Sequence, residues 1–217
     1  MSLTIFDLDN TLIAGDSDHL WGEYLIEHNY VDGAHFRQQN DRFYQDYQNR
    51  TLDIRAYLAF ALAPLSQFDS QQLQRMHCQF MQEKIAPIML PKAVALIEKH
   101  RQQGDTLLII TATNRFITAP IADKLGIENL LASDAEIVSG RYTGNPIGVP
   151  CYQEGKVTRL GLWLEERQLD NKNSYFYSDS ANDIPLLEQV TYPIAVDPDA
   201  SLNQYAQDKG WPVISLR

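Results

Sequence analysis

Leu3-Thr4-Ile5-Phe6-Asp7-Leu8-Asp9-Asn10-Thr11 is the stretch that decides the fold. Leu3–Phe6 is a short apolar run with the length and character of a buried strand. It stops abruptly at two aspartates, an amide and a hydroxyl. In open α/β sheets, ligands bind beyond the carboxyl ends of the strands, so a strand that delivers polar groups there points to a site as well as a fold.

Outward from this strand, the chain changes character. From about Asp16 to Lys84, apolar and aromatic residues recur at helical spacing in successive stripes. They are Leu20, Trp21, Tyr24 and Leu25; then Phe36, Phe43, Tyr44 and Tyr47; then Leu52, Tyr57, Leu58, Ala61 and Leu62; then Leu73, Met76, His77, Phe80 and Met81. This block reads as a small helical bundle whose aromatics form mainly its own core. From Pro91 onward strands and helices alternate. The spacing predicts helices over 91–103, 114–125, 156–168, 184–189 and 202–209, and strands over 106–110, 174–177 and 193–196. A hairpin is expected over 137–143, with Ser139-Gly140 at its middle. Such alternation means a doubly wound parallel sheet wrapped by helices. The helical block is then an insertion after the first strand, occupying 15–85, with 1–14 and 86–217 forming the α/β unit.

Composition narrows the partners. The chain has 217 residues, 44% hydrophobic and 21% charged, and a formal net charge of −10. A field of that sign repels a phosphate backbone, so no nucleic-acid partner is expected. No apolar run approaches the length of a membrane span, and no membrane partner is expected. The opening residues carry neither a basic segment nor a long apolar one, which predicts no secretory leader and a cytoplasmic location. Cys78 and Cys151 lack metal-ligand spacing and read as free thiols. The five histidines are scattered, and none is assigned to a metal. Monomer and dimer are both compatible with the sequence.

The chemistry gathers at the polar ends of the α/β elements: Asp7-Leu8-Asp9-Asn10-Thr11, Thr111-Ala112-Thr113-Asn114, Gly155-Lys156, and Ser178-Asp179-Ser180-Ala181-Asn182-Asp183. In a doubly wound sheet these converge on one crevice. Several carboxylates gathered there repel each other unless a cation sits among them. Oxygen ligands without thiolate or imidazole favour Mg²⁺, an ion that shares its coordination sphere with substrate phosphate.

These four motifs, in this order and with the insertion after the first, resemble the haloacid dehalogenase superfamily of phosphatases. The branch they resemble is subfamily IB, which holds phosphoserine phosphatase-like and histidinol-phosphatase-like enzymes. The resemblance covers essentially the whole chain. It implies a Rossmann-like core with a C1-type helical cap and hydrolysis of a small phosphomonoester. It makes Asp7 the nucleophile that becomes an aspartyl-phosphate and Asp9 the general acid and base. It gives Mg²⁺ to the Asp7 carboxylate, the Asp9 backbone carbonyl and the Asp179 carboxylate. It sets Thr111 and Lys156 on the phosphoryl oxygens, with Asn182 helping to orient them, and Asp183 behind a metal-bound water or the lysine.

Two departures bear on the substrate. Ser178 and Ser180 flank Asp179 where many relatives have glycine, and Thr111 is followed by Ala112-Thr113 rather than by two glycines. Both turn the expectation from phosphoserine towards histidinol phosphate. Asp16 lies where phosphoserine-type enzymes place the acid that meets the substrate amine; it is equally placed to cap the first inserted helix. Two rival functions share the fold or the motif chemistry, a phosphotransferase or mutase and a phospho-accepting signalling module.

Overall fold

A computed structural model describes residues 2–217. Seven strands form one sheet: β1 (Leu3–Phe6), β2 (Thr106–Asn114), β3 (Asn129–Val138), β4 (Arg141–Ile147), β5 (Tyr175–Ser178), β6 (Tyr192–Val196) and β7 (Val213–Ile214). Their order is β4-β3-β2-β1-β5-β6-β7. Every pairing is parallel except that of β3 with β4. β1 sits between β2 and β5 with both faces covered, which explains its largely apolar sequence; its one hydroxyl, on Thr4, is buried against His100 and Asp105. Along β1 and β2 the side chains alternate between two cores. Phe6, Leu107 and Ile109 join the larger apolar cluster with Ala93, Ile97, Ile117 and Ile121. Ile5, Leu108 and Ile110 join the second, with Leu160, Trp163, Leu186 and Leu202.

Helices α1 (Ser17–Glu27), α2 (Gly33–Gln48), α3 (Ile54–Leu62) and α4 (Ser70–Phe80) lie between β1 and β2 in the chain. Each opens on an aspartate whose carboxylate accepts from backbone amides of the first turn: Asp16, Asp32, Asp53 and Asp69. An aspartate cap satisfies donors that the helix itself leaves orphaned and meets the positive end of its dipole. Asp69 and Gln72 form a reciprocal capping box. α1 and α2 approach closely at Gly22, where an added Cβ would fall 2.5 Å from the Asn40 amide nitrogen. The remaining helices are α5 (Pro91–Gln102), α6 (Arg115–Leu125), α7 (Glu154–Arg167), α8 (Ile184–Leu187) and α9 (Ala200–Lys209).

The two crossings between the helical insertion and the sheet run side by side. Ile13 and Met89 form an antiparallel bridge, and the Ala14 amide donates to the Ile88 carbonyl at 2.8 Å. A second contact joins the insertion to the sheet through the hairpin of β3 and β4. At Gly144, with φ +87°, an added Cβ would lie 3.2 Å from the Ala63 Cα, and a side chain there would also be strained.

Two expected boundaries change, and one short strand has no counterpart among the expected elements. β2 runs on to Asn114, past the apolar segment that marks it in sequence. The hairpin is longer than 137–143, because β3 begins at Asn129 as a parallel partner of β2 before turning antiparallel with β4. β7 pairs with β6 over only Ala195–Val213 and Val196–Ile214, too short to leave a periodic signal. Trp21 and Tyr24 pack with Phe80 in the interior of the insertion and do not face the crevice.

Candidate active site

Asp7 directly follows β1, and its amide donates to the Tyr177 carbonyl of β5 at 2.9 Å, so the sheet itself fixes its backbone. The loop behind it folds on one acceptor, with the amides of Thr11, Leu12 and Ile13 all directed to the Leu8 carbonyl. Asn10 takes φ 56°, a conformation asparagine tolerates better than most residues.

Lys156, at the start of α7, is 2% exposed and reaches Asp7 Oδ1 at 2.7 Å and Asp183 Oδ1 at 2.7 Å. Asp183 Oδ2 accepts in addition from the Ser178 hydroxyl at 2.7 Å. The two carboxylates hold the lysine's proton well above its ordinary range against the opposing effect of burial. Gly155 permits this placement: a Cβ there would fall 2.0 Å from the Pro150 carbonyl oxygen.

Thr11 joins the first motif to the fourth. Its hydroxyl lies 3.1 Å from Asp179 Oδ1 and 3.5 Å from Asp7 Oδ2, and it accepts from the Asp179 amide at 3.0 Å. Burial, with Asp7 and Asp183 nearby, pushes the Asp179 carboxyl well above the usual range. Burial likewise pushes Asp7 up to about 7 despite Lys156. One lysine among these carboxylates leaves negative charge uncompensated. The side of Asp7 turned from Lys156 and the near side of Asp179 share one hydroxyl, and every donor is a hard oxygen. That donor set fits Mg²⁺.

Asp9 is held at both oxygens. Oδ1 accepts from the Ser17 amide at 2.6 Å, and Oδ2 from the Thr113 hydroxyl at 2.8 Å and, more weakly, from Thr111 at 3.4 Å. Desolvation raises its pKa while these bonds oppose the rise. Thr111 and Thr113 project the same way because they are two apart on a strand.

The remaining candidates divide. Asp16 Oδ1 accepts from the amides of Asp18 and His19 at 3.0 and 2.9 Å, so it caps α1. Asn182 is spent on tying elements together: its oxygen accepts from Tyr152 and Gln153, each at 3.0 Å, and its amide donates to the Tyr47 carbonyl of α2 at 3.2 Å. Sequence reading gave no role to Thr11, Thr113 or Ser178, although all three stand inside the quoted motifs; their hydroxyls orient the carboxylates.

Beside Asp7 and Asp9 lies a narrow cleft, with a cavity volume of about 40 Å³, between the insertion and the ends of β1 and β2. Thr111 and Thr113 stand at its floor, Phe43, Tyr44, Tyr47 and Tyr57 wall it, and Asp16, Asp18 and His19 from the start of α1 complete it. Among the described residues no lysine or arginine lines it. A separate group, His19, Glu23 and Asp41, has ligand atoms within 4.8 Å of one another. There Arg37 already pairs with Glu23 at 3.3 Å and Asn40 contacts His19 Nδ1 at 3.1 Å. Cys151 is a buried free thiol whose pKa is pushed up to about 12 by burial, which makes it inert.

The chain matches the haloacid dehalogenase-like hydrolase family over residues 4–188. It belongs to the haloacid dehalogenase-like hydrolases. A histidinol-phosphatase of Neisseria meningitidis serogroup C (strain 8013) is 49% identical over 220 aligned residues, covering 100% of this chain and 99% of that protein. A crystal structure of a protein of unknown function from Bordetella pertussis Tohama I superposes with a TM-score of 0.94 at 41% identity, covering 100% and 99% of the two chains. A phospho-aspartyl intermediate analogue of phosphoserine phosphatase superposes with a TM-score of 0.72 at 15% identity, covering 100% and 93%, which speaks for the shared fold. Within the haloacid dehalogenase-like hydrolases this chain is a phosphatase with a Rossmann-like α/β sheet. Among the described residues no helix is long and apolar enough to cross a membrane.

Proposed function

We propose that this haloacid dehalogenase-like phosphatase hydrolyses a small amine-bearing phosphomonoester through an aspartyl-phosphate on Asp7, with Mg²⁺ bound. Histidinol phosphate is the favoured substrate and phosphoserine the next. The observation that carries the reading is the buried alignment of Lys156 on Asp7 Oδ1 at 2.7 Å, beside a cleft that is acidic, aromatic and without a cation of its own.

In the first step an Asp7 carboxylate oxygen attacks phosphorus, the phosphorus–ester oxygen bond breaks, and Asp9 gives its proton to the leaving alkoxide. In the second, Asp9 takes a proton from water, which attacks the aspartyl-phosphate and releases phosphate and Asp7. Asp7 and Asp179 would hold Mg²⁺ together with the Asp9 backbone carbonyl, and the ion would offset the charge that keeps a phosphate dianion from a carboxylate. Lys156 and Thr111 would bind phosphoryl oxygens, with Asp183 and Ser178 fixing the lysine. Asn182 would act on the phosphoryl group through the position of α2. Residues 15–85 would form the cap over a core of 1–14 and 86–217, and the enzyme would act in the cytoplasm.

The substrate preference rests on charge. The carboxylate of phosphoserine would meet Asp16 and Asp18 with no cation in the cleft wall, whereas an amino alcohol brings only its ammonium. The name carried by the Neisseria relative supports the same choice. Phosphate release from histidinol phosphate and from phosphoserine, with Mg²⁺ and with excess EDTA, tests both parts. Mg²⁺-dependent turnover with histidinol phosphate ahead is expected. Full activity in EDTA removes the metal from the mechanism, and a preference for sugar or nucleotide monophosphates removes the amine.

A further inference from the structure

We propose that Asp18, rather than Asp16, is the carboxylate that receives the substrate's ammonium group, with Tyr57 and the neighbouring cleft aromatics enclosing the carbon that bears it. The inference rests on the reading that the substrate carries an amine.

Asp16 is engaged on one oxygen, since the amides of Asp18 and His19 both donate to its Oδ1 and hold it as the cap of α1. Asp18 differs. It is 6% exposed and lines the cleft. Its Oδ1 lies 3.4 Å from the Asn114 side-chain nitrogen, which orients the carboxylate, while its Oδ2 is buried without a hydrogen-bond partner. A buried polar atom left unpaired costs free energy comparable to a lost hydrogen bond, and a buried charge costs more. A site that keeps such an oxygen against a cleft wall is complete only when a donor occupies the cleft. The groups around it select the donor. Asp16 and Asp9 add negative potential at Asp18, and the Tyr57 hydroxyl, a neutral donor beside the carboxylate, favours its ionised form without supplying a charge. With no lysine or arginine in the wall, an incoming monocation is the missing partner. Tyr44, Phe43 and Tyr57 line the same cleft, and aromatic rings attract an ammonium group and exclude water. The floor of the same cleft holds Asp9 and Thr111, so phosphate and ammonium would occupy opposite ends of one bound molecule. Asp18 also stands in the first turn of α1, where a carboxylate meets the helix dipole. That accounts for an exposed aspartate but not for an oxygen sealed from solvent.

The test compares histidinol phosphate with imidazolylpropanol phosphate, the same molecule without its amine, on the Mg²⁺-loaded wild type, Asp18→Asn and Asp16→Asn. Asp18→Asn preserves shape and leaves an oxygen to accept from Asn114. The readout is the ratio of kcat/KM for the two substrates, which cancels losses from folding or metal binding. The wild type is expected to favour the amine at least tenfold, Asp18→Asn to lose most of that ratio, and Asp16→Asn to lose less. A wild-type ratio near one overturns the amine reading and this inference with it. A wild-type preference that survives Asp18→Asn, or that falls further in Asp16→Asn, overturns the role of Asp18 and leaves the amine reading standing.

Discussion

Asp7 and Asp9 lie two residues apart, yet their surroundings differ in a way that suits the different tasks proposed for them. Asp7 faces Lys156 and Asp179, whereas Asp9 is steadied by Thr113 and the Ser17 amide, away from the lysine. Asp7→Asn is therefore expected to lower turnover by about 10⁴-fold or more and to abolish any phosphorylated protein, because no other group can form the covalent intermediate. Asp9→Asn is expected to slow the breakdown of that intermediate, so that a phosphoryl adduct on Asp7 accumulates. Mass spectrometry after rapid acid quenching distinguishes the two, and an adduct surviving in Asp7→Asn reassigns the nucleophile. The crowded carboxyls also give the metal-free protein a distinctive pH dependence. Burial raises Asp7 and Asp16 to about 7 and Asp18 to about 8, from 3.8. Between about pH 4 and pH 8 the folded chain keeps protons that the unfolded chain has released, so stability falls as pH rises through this window. Asp105 and Asp134, held low by His100 and by two arginines, act in the opposite sense only below it. Urea midpoints in EDTA should be lower at pH 8 than at pH 5, and Asp18→Asn should flatten the difference. A midpoint that rises over this range contradicts the burial of these groups.

At the scale of elements, α7 shows how one glycine places a buried cation against Asp7. The helix begins against the Pro150 carbonyl, and the 2.0 Å approach at Gly155 leaves no room for a methyl group. Gly155→Ala must displace the first turn of α7 or the 149–151 segment, and Lys156 with it. A loss of about 1–3 kcal/mol of stability is expected from the overpacking alone, with turnover reduced at least tenfold as Lys156 leaves Asp7. Denaturation and phosphate release on the purified variant check both, and unchanged values would mean that the backbone relaxes at no cost. Gly155-Lys156 was visible in sequence as a helix start with a lysine, but the close approach comes from a chain segment that composition does not mark. The same division runs through the molecule. β1 and β2 were legible because strands covered on both faces carry apolar runs, and the inserted helices because each carries a 3.6-residue stripe. The first half of β3 was not, since Asn129 opens it and only Leu130 and Leu131 are apolar before Ala132-Ser133-Asp134. Nor could a stripe say which aromatics face inward: Trp21 and Tyr24 fill the insertion's core while Tyr44, Tyr47 and Tyr57 wall the cleft. In Asp16-Ser17-Asp18 either acid can cap a helix, and only the start of α1 at Ser17 decides that Asp16 does so and Asp18 turns to the cleft.

At the scale of the whole molecule, the insertion closes the crevice from three directions. It is joined to the α/β unit by the paired crossings at Ile13–Met89, by the hairpin against Ala63, by the Asn182 bond to Tyr47, and by α1 and α4 through Ser17 on Asp9, Asp18 on Asn114 and His77 on the Ile117 carbonyl of α6. Only the crossings are covalent, so a lid motion must pivot there, and the part that swings must give up its non-covalent contacts, the hairpin and the Asn182 bond among them. Gly15 suits a pivot, for its nearest neighbour is the flexible tip of Ile88, 3.1 Å from where a Cβ would stand. Opening would uncover the cleft to substrate, and closing would exclude water from Asp7 while the aspartyl-phosphate waits for its hydrolytic partner. Amide exchange in α2 and α3, whose aromatics wall the cleft, is therefore expected to slow when Mg²⁺ and a phosphoryl mimic such as beryllium fluoride occupy the site, with little change in α9 on the far side of the sheet. Removing the Asn182 latch gives a second handle. Asn182→Ala deletes a contact between cap and core without touching a carboxylate, so it should speed exchange in α2 and shift the equilibrium towards the open form. Its KM should then rise more than its kcat falls, because substrate must meet the cost of closure. Exchange in α2 and α3 that is the same with and without the mimic, in wild type and variant alike, would describe a fixed roof in place of a moving one.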